Sequence, residues 1–92
     1  MKIIWSDQAK VSYERIIDDI LDKWSPNIAI DFEYKTNKLL DVLKKHIHLC
    51  PNSNKQNLRK CVIHKNVSLI YRIHKSVIEL VTFIDNRTNH NY

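Results

Sequence analysis

Apolar positions along the chain change their period once, between residues 47 and 58, and that change divides the sequence into two kinds of structure. Before it, Ala9, Tyr13, Ile16, Ile17, Ile20, Leu21 and Trp24 recur at helical spacing, with Glu14, Asp18, Asp19 and Asp22 on other faces. Ser25-Pro26 then stops one helix and starts another, Ser25 as N-cap and Pro26 at the first helical position. A second stripe follows through Ala29, Phe32, Leu39, Leu40, Leu43 and Ile47, with Thr36 filling the gap. Two helices joined this tightly should lie antiparallel as an αα-hairpin. Ahead of them, Lys2 to Trp5 is a short β-type run, and Ser6 is placed to cap the first helix with Asp7 in its first turn.

Cys50-Pro51 ends the helical part, and Asn52 to Asn57 is polar and turn-rich, which predicts a surface loop. Beyond it, Leu58–His64, Ser68–His74 and Val77–Ile84 are β-branched and aromatic runs of strand length. Lys65-Asn66 and Lys75-Ser76 are short enough to close hairpins, so these runs should form a three-stranded antiparallel meander. The predicted order is β-α-α-β-β-β, an α+β fold in one domain over residues 1–92. One sheet face buries Leu69, Tyr71 and Ile73 against the helix hairpin, and the other is left to solvent or a ligand. The N-terminal strand must join the sheet too, because Ile3, Ile4 and Trp5 need burial.

Composition narrows the function. The chain has no glycine, so the P-loop, the dinucleotide-binding turn and the nucleophile elbow are excluded; each needs glycine for close approach or positive φ. No apolar run is long enough to span a membrane, and the N-terminus turns polar too early for a signal peptide, so the expected compartment is the cytoplasm. Cys50 and Cys61 are expected there as reduced thiols rather than as a disulfide. The net charge of +5 is unevenly placed. Residues 1–47 carry seven Lys and one Arg against eight Asp and Glu, which sums to zero. Residues 48–92 carry four Lys and three Arg against Glu79 and Asp85, which leaves the whole +5 there. An acidic or polyanionic partner suits that half; a merely soluble basic surface is the plainer alternative.

The opening Ile3-Ile4-Trp5-Ser6-x-x-Ala9, the hairpin Leu58-Arg59-Lys60 with Ser68-Leu69-Ile70-Tyr71-Arg72-Ile73, and the ending Val81-Thr82-Phe83-Ile84-Asp85-Asn86-Arg87 together resemble the RelE/ParE superfamily of toxins. The resemblance runs over nearly the whole chain. It implies the toxin of a type II toxin–antitoxin pair, held inactive by an antitoxin whose C-terminal segment wraps its groove. The target is left open, since RelE-like members cut mRNA in the ribosomal A site and ParE-like members inhibit DNA gyrase.

Metal-free ribonuclease chemistry needs a base for the 2′-hydroxyl, cations for the phosphorane charge and an acid for the leaving oxygen. The resemblance places Arg59 on the open side of the sheet and Arg87 against the scissile phosphate, with His90 and Tyr92 near the proton donor or base-stacking position. Lys60, Lys65 and Arg72 are then RNA-binding cations. Structural alternatives stand beside each. Arg59 and Lys60 alternate across the strand, so only one can face the open side. Arg72 and Glu79 fit a cross-strand pair, Arg87 can cap its turn through Asp85, and His90 and Tyr92 sit where termini fray. Ser68 and Cys61 occupy positions that are usually basic in such ribonucleases, so the cationic cluster is thin. Cys61-x-x-His64 with Cys50 and His48 lacks recognised zinc spacing, and neither metal nor cofactor is expected. The grouping of Arg59, Arg87, His90 and Tyr92 favours a ribosome-dependent mRNA ribonuclease. The alternatives are a non-catalytic gyrase inhibitor or an inactive relic that only binds its antitoxin. The expected partners are an antitoxin, the ribosome and mRNA or else DNA gyrase, and a second copy when the toxin is free.

Overall fold

Two serines decide where the helices begin. In the computed structural model, which describes residues 1–88 and 91–92, the Ser6 side chain accepts from the Ala9 N–H at 3.0 Å and the Ser25 side chain from the Ile28 N–H at 3.4 Å. Each caps one helix, α1 (Asp7–Lys23) and α2 (Pro26–Lys45), by satisfying a backbone donor that has no partner inside the first turn. Ser6 also donates to the Val81 carbonyl at 2.9 Å, which ties the start of α1 to the sheet. The strands are β1 (Lys2–Trp5), β2 (Arg59–His64), β3 (Val67–His74) and β4 (Val77–Asp85). The element order and the three-strand meander are those the sequence pattern predicts.

The sheet order is β1-β4-β3-β2. β1 runs parallel to β4, with Ile3 opposite Ile78 and Trp5 opposite Leu80, and this is how the N-terminal strand finds its burial. β1 stops at Trp5, so α1 continues beside the C-terminal half of β4, where the Ser12 hydroxyl accepts from the Phe83 N–H at 2.9 Å. The helices pack on one sheet face over Leu69, Tyr71, Ile78, Leu80 and Phe83, all buried. Trp5, Tyr13, Phe32 and Phe83 meet there as an aromatic cluster with ring centroids 5.0 to 5.6 Å apart. Each large side chain buried in this way contributes about 1.5–3 kcal/mol. Thr36 fills its gap in the helical stripe fully buried, its hydroxyl donating to the Phe32 carbonyl at 2.9 Å.

Three expectations are corrected. The first concerns the cysteines, which form a Cys50–Cys61 disulfide and are not free thiols. Asn52 bridges to Arg59, the Lys60 N–H donates to the Pro51 carbonyl, and the Ser53 N–H donates to that of Leu58. These bonds fold residues 50–61 back on themselves and bring the two Cα atoms to 5.3 Å, inside the range a disulfide spans.

The second concerns Arg59. It pairs in register with Tyr71, and Cys61 with Leu69, so Arg59 lies on the helix side of the sheet and Lys60 on the other. The third concerns that other face, which is not wholly left to solvent. Ser68 and Ile70 alternate away from the core residues Leu69 and Tyr71, yet both are fully buried. The Ser68 hydroxyl donates to Asn86 Oδ1 at 3.1 Å, and the Asn86 N–H donates to the Asn66 carbonyl at 2.6 Å, so the turn after β4 closes over Ser68.

Candidate functional site

The candidate residues divide between the two ends of β3. At the end near Tyr71 and Ile73, Arg59 Nη1 donates to the Cys50 carbonyl at 2.6 Å. The Tyr71 hydroxyl, from a fully buried ring, donates to the Ile47 carbonyl at 2.8 Å. Burial pushes the Tyr71 phenol up from its ordinary pKa, against backbone hydrogen bonding and the nearby Arg59 charge, which lower it. The loop before β2 completes this end. Its Asn54 N–H donates to the Tyr92 carbonyl at 3.4 Å, and Lys55 Nζ lies 5.0 Å from the centre of the Tyr92 ring.

At the other end, the Arg87 guanidinium grips Asp85 with Nε at 3.0 Å from Oδ1 and Nη2 at 2.7 Å from Oδ2. The Arg87 N–H adds a bond to Asp85 Oδ1 at 2.9 Å. These hydrogen bonds hold the Asp85 carboxyl below its ordinary pKa and push the guanidinium higher still. The capping of the turn through Asp85, one of the two sequence alternatives, is therefore present. Beside Arg87 a trough of about 320 Å³ runs between the tip of the helix hairpin and the ends of the strands. A second hollow of about 260 Å³, lined by Ile20, Trp24, Ile28, Lys65, Val67 and Arg87, continues it. Trp24 stands 62% exposed there, although the sequence pattern counts it with the core stripe.

Between the ends, Arg72 pairs through Nε with Glu79 Oε1, directly opposite it on β4; the cross-strand alternative is realised. Lys60 sits opposite Ile70 on the face away from the helices. His90 lies outside the described residues. The structure thus brings Arg87 together with Lys65, and places Tyr92 on the loop before β2, the loop that closes the Arg59 end. It does not bring Arg59 to Arg87. Arg59 pairs with Tyr71, whereas Asp85, which holds Arg87, pairs with Val67, four residues away and about 13 Å along the strand.

No three His, Cys, Asp or Glu residues group as metal ligands among the described residues, and the disulfide removes both thiolates from any zinc set. No described helix is long and apolar enough to cross a membrane.

A family model described as the ParE toxin of the type II toxin-antitoxin system parDE matches residues 3–90. The chain belongs to the ParE toxin family. Solved structures agree with that fold. A chain of the chromosomal ParDE toxin–antitoxin system from P. aeruginosa superposes with a TM-score of 0.76 at 14% identity, covering 92% of this chain and 95% of that one. A copper-bound mutant toxin from Helicobacter pylori superposes at 0.67 with 16% identity, covering 92% and 93%. Among curated proteins none matches this sequence. For this ParE-family toxin the sequence reading missed the trough at the hairpin tip. Its one local sign was Trp24 itself, the last member of the α1 stripe, standing immediately before the Ser25-Pro26 break where cover runs out.

Proposed function

We propose that this ParE-family toxin arrests growth by binding DNA gyrase rather than by cutting RNA. The observation that carries the reading is the separation of the two arginines. Hydrolysis through a 2′-hydroxyl needs its base, cations and acid within hydrogen-bonding reach of one phosphate. Here Arg59 is turned to the Cys50 carbonyl on the helix side, and Arg87 is held by Asp85 at the far end of β3. A binding toxin needs no such convergence. It needs exposed apolar anchors and unneutralised charge, and both are present.

The ribosome-dependent ribonuclease remains the second reading, favoured by the +5 carried on residues 48–92, where Lys60 and Lys65 would contact RNA phosphates. In both readings the neutralising partner is a ParD-type antitoxin, as the ParDE system from P. aeruginosa pairs the two. The outer faces of the helices, with Val11, Leu21, Ile30 and Tyr34 exposed, offer its apolar landing. The antitoxin segment is acidic where it meets the basic half of the toxin.

The test is induction in cells lacking the antitoxin, with plasmid topology read on chloroquine gels alongside the SOS response. Relaxed plasmids and an SOS response are expected. Growth arrest with normally supercoiled plasmids would contradict the gyrase reading, and no growth arrest at all would leave only an antitoxin-binding relic.

A further inference from the structure

We propose that the trough at the hairpin tip is the surface that grips the target, and that it takes an acidic protein segment carrying a bulky apolar side chain. The inference rests on the reading of the toxin as a gyrase inhibitor and names the surface and the chemistry of that contact. Three segments distant in sequence build the trough: the end of α1 with Trp24, the β2–β3 turn with Lys65, and the end of β4 with Asp85 and Arg87. Its apolar part is Ile20, Trp24, Ile28 and Val67, and an exposed indole at a concave site is the kind of residue that dominates binding energy.

Charge decides what kind of partner fits. Arg15, Lys23, Lys65 and Arg87 surround the trough, against Asp19 and Asp85. Asp85 is spent on Arg87, and Arg15, Lys23 and Lys65 form no ion pair among the described residues. Four cations against two carboxylates leave the trough a net positive charge, which is complementary to carboxylates flanking an apolar anchor. Hollows of about 320 and 260 Å³ each accept a large side chain, which suits a short anchored segment. That separates it from the exposed row on the outer helix faces, which suits an extended antitoxin segment.

The experiment titrates purified toxin into plasmid supercoiling by purified DNA gyrase. The double variant Trp24→Ala with Lys65→Glu is compared with wild type and with Lys75→Glu, a charge-matched change at the opposite end of β3. Both altered side chains at the tip are on the surface, and unchanged urea midpoints verify the fold. The double variant should need at least about tenfold more protein for half inhibition, Lys75→Glu should match wild type, and binding of the antitoxin should persist. Equal inhibition by the double variant would overturn the surface assignment while leaving the gyrase reading intact. Loss of antitoxin binding together with inhibition would overturn it too, because the trough would then hold the antitoxin. Failure of the wild-type toxin to inhibit would instead remove the gyrase reading itself.

Discussion

The two ends of β3 hold similar residues and treat them differently. At the Tyr71 end, the Arg59 guanidinium and the Tyr71 hydroxyl each donate to a backbone carbonyl inside the protein, and a disulfide ties β2 to the start of the loop before it. At the Val67 end, Trp24 is 62% exposed beside an apolar trough. Among the described residues, cations without ion pairs occur at both ends, Lys65 here and Lys75 at the other, so the exposed indole makes the difference. Groups whose hydrogen bonds are satisfied internally stabilise the fold but have little left for a ligand. Exposed aromatic surface and unpaired charge add little to the fold and are available to a partner. Stability should therefore concentrate at one end and recognition at the other.

The largest expected effect falls on the disulfide. Replacing Cys50 and Cys61 by serine removes a short loop closure worth about 3 kcal/mol in the chain-entropy account. Urea denaturation should show that loss, with the added signature that reductant no longer alters the midpoint. A midpoint equal to that of the oxidised protein would mean that the Tyr71 end is not the clasped one. Next in size, Tyr71→Phe leaves the Ile47 carbonyl without its donor and should lower stability by about 1–3 kcal/mol.

At the other end, Trp24→Ala should change stability by no more than about 0.5 kcal/mol, while weakening growth arrest; a large loss of stability would show that the indole is structural. The smallest effect concerns pH. The Asp85 carboxyl has a lowered pKa in the folded state, so its contribution is complete above the ordinary carboxylate value and fades as pH falls through the lowered one. Asp85→Asn should therefore flatten the decline of stability below about pH 4, measured by urea midpoints along a pH series. An unchanged slope would mean that the Arg87 contact does not survive in solution.

Much of this fold is legible locally. Ser6 and Ser25 cap the helices where the pattern places them, Thr36 sits in the stripe as a tolerated polar residue, and the two-residue turns fix the meander. The strand phase of β2 is another matter. Arg59 and Lys60 are adjacent cations, and alternation alone cannot say which faces inward; the Cys61 bond to Cys50 settles it. That bond was itself hidden, because the expected reducing compartment argued for free thiols, and the approach of the two cysteines depends on the Asn52–Arg59 bridge that folds the loop. The trough was less visible still. It is assembled from the tip of the helix hairpin, the β2–β3 turn and the end of β4, and no window of sequence contains more than one of its walls. The candidate residues in the tail were readable only as residue types. Tyr92 is seen to return to the loop before β2, a contact across nearly forty positions that periodicity does not encode.

The central claim is that Arg59 and Arg87 serve different ends of the molecule and do not share one phosphate. The measurement that tests it most directly is the mapping of mRNA 5′ ends after induction of the toxin without its antitoxin. No new codon-phased ends are predicted. Codon-phased ends that disappear in both Arg59→Ala and Arg87→Ala, with each variant still folded and bound by the antitoxin, would contradict it.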